Sequence, residues 1–353
     1  AALIRATPTI FSQNPVECKA LLSTFNDVSP LLRRLLAGSH SVIAGRLAGG
    51  MRALGLTQQA DQIVGAMNKA YFNVRETNPF APSANTAQFI TSDTPAARQL
   101  RLRWASMRET VVAIFPEAPG LPGDPDVYLA TIDKLYDADA YHSLSIENYE
   151  VSPELIARVK AGNWQPTKAD EREQNALAAR GYWDASLAVK ASVQRILLGE
   201  NAGKVMAEDV AGWFQELFGP SVRAGILRPA DLAGYRAGQV YITNSRHIPS
   251  PPKGVFPLME TYFDLLTNEP LASVRVVLGH FFFGFIHPFM DGNGRIARFL
   301  MNAMLASGGY PWLIIRVEDR KAYMEALESA SAERDIEPFA RFLAERVGEI
   351  EPP

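Results

Sequence analysis

His287-Pro288-Phe289-Met290-Asp291-Gly292-Asn293-Gly294-Arg295-Ile296-Ala297-Arg298 lies between two apolar helical patterns, and the rest of the chain is arranged around it. Upstream, Leu271 to Ile286 is apolar on nearly every face, which is the pattern of a buried helix. Pro288 has no N–H to donate and crowds the turn before it, so it ends that helix. Gly292 and Gly294 admit backbone angles that other residues resist. A second helix is expected to start at Asn293 or Gly294. Ile296, Phe299, Leu300, Ala303 and Met304 form its apolar face, and Gly308-Gly309 stops it.

A helix, a glycine turn and a fresh helix N-terminus make a concave set of free N–H groups, and such sets bind anions. Arg295 and Arg298 are spaced i,i+3 and project from one side of the first turn. Two cations at the positive end of a helix dipole are unfavourable alone, and a multiply charged anion removes the conflict. A planar guanidinium grips two phosphate oxygens at once. Asp291 offers hard oxygen ligands for Mg²⁺ against such phosphates. His287, at the mouth of the turn, is a group that takes a proton near neutral pH. Residue by residue the plain alternative is a helical connection with a surface histidine; the combination at this spacing argues against it.

The stretch resembles the signature of the Fic (Fic/Doc) family, H-x-F-x-[D/E]-G-N-G-R-x-x-R, and is matched at every specified position. The resemblance implies a mainly α fold: a Fic-type helical bundle with a small β-hairpin flap. It implies a protein adenylyltransferase that moves AMP from ATP to a protein hydroxyl. It casts His287 as the general base and Asp291 as the Mg²⁺ ligand. Gly292, Asn293 and Gly294 become the anion hole, Arg295 holds the β-phosphate and Arg298 the γ-phosphate. The implied partner is a target protein presenting a Ser, Thr or Tyr hydroxyl, with self-modification included.

Upstream, Asp126 to Tyr141 has a helical pattern and is followed by Ser143-Leu144-Ser145-Ile146-Glu147-Asn148. By itself Glu147 is a surface charge at a helix end. Beside the signature, Ser143, Glu147 and Asn148 resemble the family's inhibitory pattern [S/T]-x-x-x-E-[G/N], on an inhibitory helix expected at about 137–150. The resemblance pairs this glutamate with Arg298. A carboxylate there takes the γ-phosphate position and turns the triphosphate away from the in-line pose.

Val240, Tyr241, Ile242 and Thr243 favour a strand, Asn244 to Pro249 turns, and Pro251-Pro252 blocks further pairing. The segment 235–249 is similar to the Fic flap, which receives the target as an added strand. Tyr241, His247 and Ile248 stand where flap contacts with the target are expected. His247 is otherwise an ordinary polar loop residue. His280 lies seven residues before His287, but metal-binding helical pairs sit at i,i+4, so a packed, hydrogen-bonded histidine is expected.

With 353 residues the chain has room for two domains or for one large one with an extension. We delimit a helical extension at 1–85, a linker and connecting helix at 86–125, and a Fic domain at 126–353 with its catalytic loop at 287–298. Three short helices and the run Tyr71 to Glu76 in the extension have a winged-helix-like outline. Its arginines more often form a solvated face, so a structural or partner-docking extension is the main reading and DNA binding the lesser one. At 47% hydrophobic and 21% charged, with net charge −3, the composition is that of a globular protein with no general attraction to nucleic acid. The single cysteine, Cys18, excludes an internal disulfide and fits a reducing cytoplasm. No stretch reads as a membrane span. The chain opens Ala1-Ala2-Leu3-Ile4 without an initiator methionine, and whether native sequence precedes it is left open. Two alternatives stay open: a Fic enzyme that transfers another nucleotide or phosphate-containing group or removes AMP, and a non-enzymatic regulator binding DNA or a partner. Oligomerisation is left open too.

Overall fold

Three helices of this chain begin on a polar cap followed by proline. Thr94, Asp124 and Ser152 each accept a first-turn N–H, from Ala97, Asp126 and Leu155, and each precedes a proline at the first helical position. The cap meets a donor the helix cannot, and proline there loses no bond. The computed structural model describes residues 2–5, 7, 10–11, 14–25, 27–38, 40–70, 72, 74–80, 94–162, 171–232 and 234–350. The chain divides into two units, Ala1–Thr91 and Ser92–Pro353.

In the first unit the helices Pro15–Ser23, Ser29–Ala37, Ser41–Ala53 and Thr57–Lys69 close over Leu22, Leu35, Leu47, Met51 and Ile63. Arg52 is gripped by Asp61 and Glu76 at 2.8 and 2.7 Å. The described residues among 72–80 carry no strand, so the winged-helix outline lacks its strand there; Tyr71 and Asn73 lie outside the described residues. Of the expected linker and connecting helix at 86–125, residues 86–93 also lie outside them.

The second unit is built around two helices with almost no wet face. Ala272–Ile286 buries 11 of its 15 residues, and Asn293–Ala306 buries 13 of 14, so both are central. Around them stand Pro95–Ile114, Pro125–Ile146, Glu171–Leu197, Ala202–Arg223, Pro252–Asn268 and Glu337–Gly348. Trp312, Leu313 and Ile315 are buried in a segment between helices. There the Asn302 amide stands in for a neighbouring strand, donating to the Leu313 carbonyl and accepting from its N–H.

One local expectation, the β-hairpin flap, is corrected. Glu171–Leu197 runs unbroken through Gly181: a Cβ there would lie 1.9 Å from the Leu217 carbonyl oxygen, so glycine admits the neighbouring helix. Ala202–Arg223 and Pro252–Asn268 both hold an internal proline, Pro220 and Pro257. Among the described residues no strand forms, and the β-hairpin flap at 235–249 is an irregular loop. Its carbonyls are taken by side chains instead of by a partner strand: Gln239 donates to Val240 and Pro249, and Arg236 to Gly238 and Ser250. No helix among the described residues is long and apolar enough to cross a membrane.

Candidate active site

The helix Ala272–Ile286 ends with the His287 N–H bonded to the Phe283 carbonyl. His287 itself takes the left-handed conformation, φ 53°, ψ 61°, which throws the chain off the helix axis. Its Nδ1 lies 3.3 Å from the Gly284 carbonyl. A carbonyl only accepts, so Nδ1 carries the proton and Nε2 keeps the free lone pair. Burial lowers the His287 pKa. The Gly284 bond and the charges of Glu147 and Asp291 oppose this, Arg236 reinforces it, and the balance favours neutral imidazole.

The turn that follows is closed from inside. Asn293 donates to the Phe289 carbonyl and accepts from its N–H, both at 2.9 Å. Its side chain therefore builds the loop and does not face an anion; what it can offer one is its backbone N–H. Phe289 is buried against Phe214, the rings parallel at 4.0 Å. Gly292 has φ +78°, and a Cβ on it would press on Phe218. The first helical bond is Ile296 N–H to the Gly292 carbonyl, so the N–H groups of Asn293, Gly294 and Arg295 precede the ladder. Asp291 is two-thirds exposed; one carboxylate oxygen accepts from Gly292 N–H and the other lies 3.3 Å from Arg295 Nη2. No cluster of three or more metal-ligating side chains occurs among the described residues. A lone carboxylate suits Mg²⁺, which takes one or two carboxylates plus substrate phosphates.

Both signature arginines are buried, which is costly unless their donors are met. Arg295 lies between the rings of Tyr149 and Phe218, about 5 Å from each. Arg298 donates from Nε to Ser143 Oγ at 2.8 Å, and from Nη2 to the Ser143 carbonyl at 2.9 Å and to Glu147 Oε1 at 2.8 Å. Arg295 Nε and Nη1 and Arg298 Nη1 have no hydrogen-bond partner among the described residues. Orphaned guanidinium nitrogens at a helix N-terminus are a ready site for phosphate oxygens.

Glu147 arrives on one 22-residue helix, Pro125–Ile146, which does not break after Tyr141. Glu147 caps its end, and Asn148 follows with φ 65°. Burial pushes the Glu147 carboxyl up, but Arg298 and Arg295 outweigh it and hold it below the usual range. A Cβ on Gly294 would lie 2.2 Å from Glu147 Oε1, so the carboxylate rests on the bare glycine backbone of the cradle.

A cavity of about 400 Å³ brings together Glu147, Asn148, Tyr241, His287, Gly294 and Arg298. His247 and Ile248 do not line it. His247 stacks on Phe285 with centroids 3.9 Å apart and bonds to the Phe285 carbonyl, which makes it an anchor for the loop. Ile248 is 63% exposed. His280 is buried, with Nδ1 on the Ala297 carbonyl and Nε2 on the Tyr323 hydroxyl, both 2.8 Å. Sequence reasoning missed Tyr149, Phe218 and Arg236. The signal for Arg236 was a single arginine in an otherwise uncharged run, Gly234 to Asn244.

Residues 209–305 match the model of the Fic/DOC family. A curated protein adenylyltransferase Fic from Nematostella vectensis is 41% identical over 124 residues, 34% of this chain and 28% of that protein. The protein of the same name from Drosophila willistoni is 39% identical over 125 residues, 34% of this chain and 24% of its own length. The matched segment thus spans about a quarter of these relatives. A solved fragment of Fic-1 from C. elegans shares the fold, with TM-score 0.52 and 20% identity across 94% of both chains. The matched residues hold the glycine turn and the two buried arginines described above, and this chain carries a Fic domain of the Fic/DOC family.

Proposed function

We propose that this chain is a protein adenylyltransferase that moves AMP from ATP to a protein hydroxyl and is restrained by its own Glu147. The observation that carries the proposal is the set of orphaned Arg295 and Arg298 nitrogens at a helix N-terminus, with Arg298 lining the cavity that holds His287. The N–H groups of residues 293–295 and the two arginines bind and orient the triphosphate. Mg²⁺ at Asp291, when bound, neutralises phosphate charge. The target hydroxyl oxygen bonds to the α-phosphorus, the bond to the bridging oxygen breaks, and diphosphate leaves with that electron pair. The hydroxyl proton goes to His287 Nε2, whose lone pair the Gly284 bond keeps free. Exposed Tyr241, with the loop 235–249, presents the target segment, a Ser, Thr or Tyr side chain of another protein or of this chain. The setting is cytoplasmic, in keeping with one unpaired cysteine.

Glu147 occupies one donor of Arg298 and the space above Gly294, where a γ-phosphate would bind. The test is labelled ATP with Mg²⁺ on full-length protein. Wild type should label itself weakly, Glu147→Gly at least about tenfold faster, and Glu147→Gly/His287→Ala not at all. Label persisting in the double variant rejects His287 as the base. Equal labelling of wild type and Glu147→Gly rejects the restraint.

A further inference from the structure

Arg236 is 4% exposed, and among the described residues its side chain meets carbonyls and no carboxylate. Nε donates to the His287 carbonyl at 2.8 Å, and the backbone N–H of Arg236 donates to the Pro288 carbonyl at 2.9 Å. The other two nitrogens donate to Gly238 and to Ser250. A guanidinium buried among carbonyls is retained where its fork geometry is needed, because a charge without a counter-ion is otherwise expensive to bury.

The carbonyls it holds are informative. His287 is the left-handed residue, and such a conformation in a non-glycine residue persists only where its surroundings over-determine it. Arg236 grips the peptide carbonyl on each side of Pro288, immediately after the ring that must point at a substrate. Its remaining arms reach Gly238 and Ser250, the two ends of the loop carrying Tyr241 and His247. We propose that Arg236 is a positioning residue for the transfer step: it locks the backbone that aims the His287 imidazole and ties that backbone to both ends of the loop 238–250.

The assignment rests on His287 being the proton acceptor of the proposed reaction. The phosphate cradle is braced separately, by Asn293 on Phe289 and by Ser143 on Arg298. Loss of Arg236 therefore acts on turnover and spares nucleotide binding. Its charge also faces His287, together with those of Glu147 and Asp291. Removing it favours imidazolium and moves the acid limb of the rate to higher pH.

The experiment uses the full chain with Glu147→Gly as background, and compares Arg236, Arg236→Lys and Arg236→Met. Self-labelling kcat should fall on the order of tenfold or more in Arg236→Met, while the ATP Kd from calorimetric titration stays within about twofold. The acid limb should move up in Arg236→Met and stay in place in Arg236→Lys, which keeps the charge and loses the fork. An unchanged kcat in Arg236→Met overturns the proposal, as does an ATP Kd that weakens in step with kcat. If Arg236→Met does not fold, Arg236→Lys decides: kcat must fall with ATP binding intact, and an unchanged kcat overturns it. Glu147→Gly/His287→Ala runs in parallel. Label persisting there rejects the base itself; label lost there with Arg236→Met at full rate rejects only the positioning role.

Discussion

His280 and Asp139 are buried titratable groups whose pH dependences run in opposite directions. Burial pushes His280 down to about 4 against an ordinary 6.5, and the neutral ring serves both the Ala297 carbonyl and the Tyr323 hydroxyl. The unfolded chain then binds a proton that the folded chain refuses, so stability is lost as pH falls from 6.5 towards 4. The full effect is about 3 kcal/mol. Burial pushes Asp139 up to about 6, opposed by the Tyr182 hydroxyl and by Arg298. Here the folded chain keeps the proton, so stability is lost as pH rises from 3.8 to 6. The two slopes largely cancel in the wild type. His280→Gln should expose the falling slope in denaturant midpoints measured between pH 4 and 7, and Asp139→Asn should be more stable than wild type at pH 7.5. A flat profile in both variants would contradict these assignments. The helix start, the glycine turn and the i,i+3 arginines were legible because they are local facts. The inward-facing Asn293 and the role of Arg236 were not, because their partners are backbone carbonyls, for Arg236 about fifty residues away.

Helices were legible as elements where apolar periodicity and a glycine stop marked them, as at Asn293–Ala306. Tertiary packing overrode local preference at two places. Glycine is a poor helix former, yet Gly181 lies inside a helix, at the point of closest approach to the carbonyl of Leu217. Gly181→Ala should therefore lower stability by ~1–3 kcal/mol through overpacking, despite improving helix propensity by ~1 kcal/mol. The urea midpoint measures it, and an unchanged or higher midpoint would place the two helices farther apart. Val240 to Thr243 has strand-forming residues but no partner strand among the described residues, and β preference is only a preference for a paired, half-buried surface. The loop is fastened instead by side chains: Glu328 accepts from Ser245 Oγ and from the Arg246 N–H and Nε.

At the scale of the molecule, the chain divides into two units, and each has its own apolar cluster. Calorimetry of the full chain should resolve two transitions, and ATP with Mg²⁺ should raise only the one belonging to 92–353, because a ligand stabilises what binds it. A single transition moved as a whole by ATP would refute this. The boundary itself was not legible beyond a polar, proline-bearing run, since no periodicity marks where one core stops. Glu147 seated on Gly294 has a consequence at this scale too. Under the proposed restraint, inhibitor and enzyme are one polypeptide, so the inhibitor never dilutes. The restrained fraction is independent of how much protein a cell makes, and the apparent nucleotide affinity is lowered by the share of molecules in the closed form. Output would follow nucleotide supply and whatever draws the end of helix Pro125–Ile146 away from Arg298, and would scale with abundance only in simple proportion.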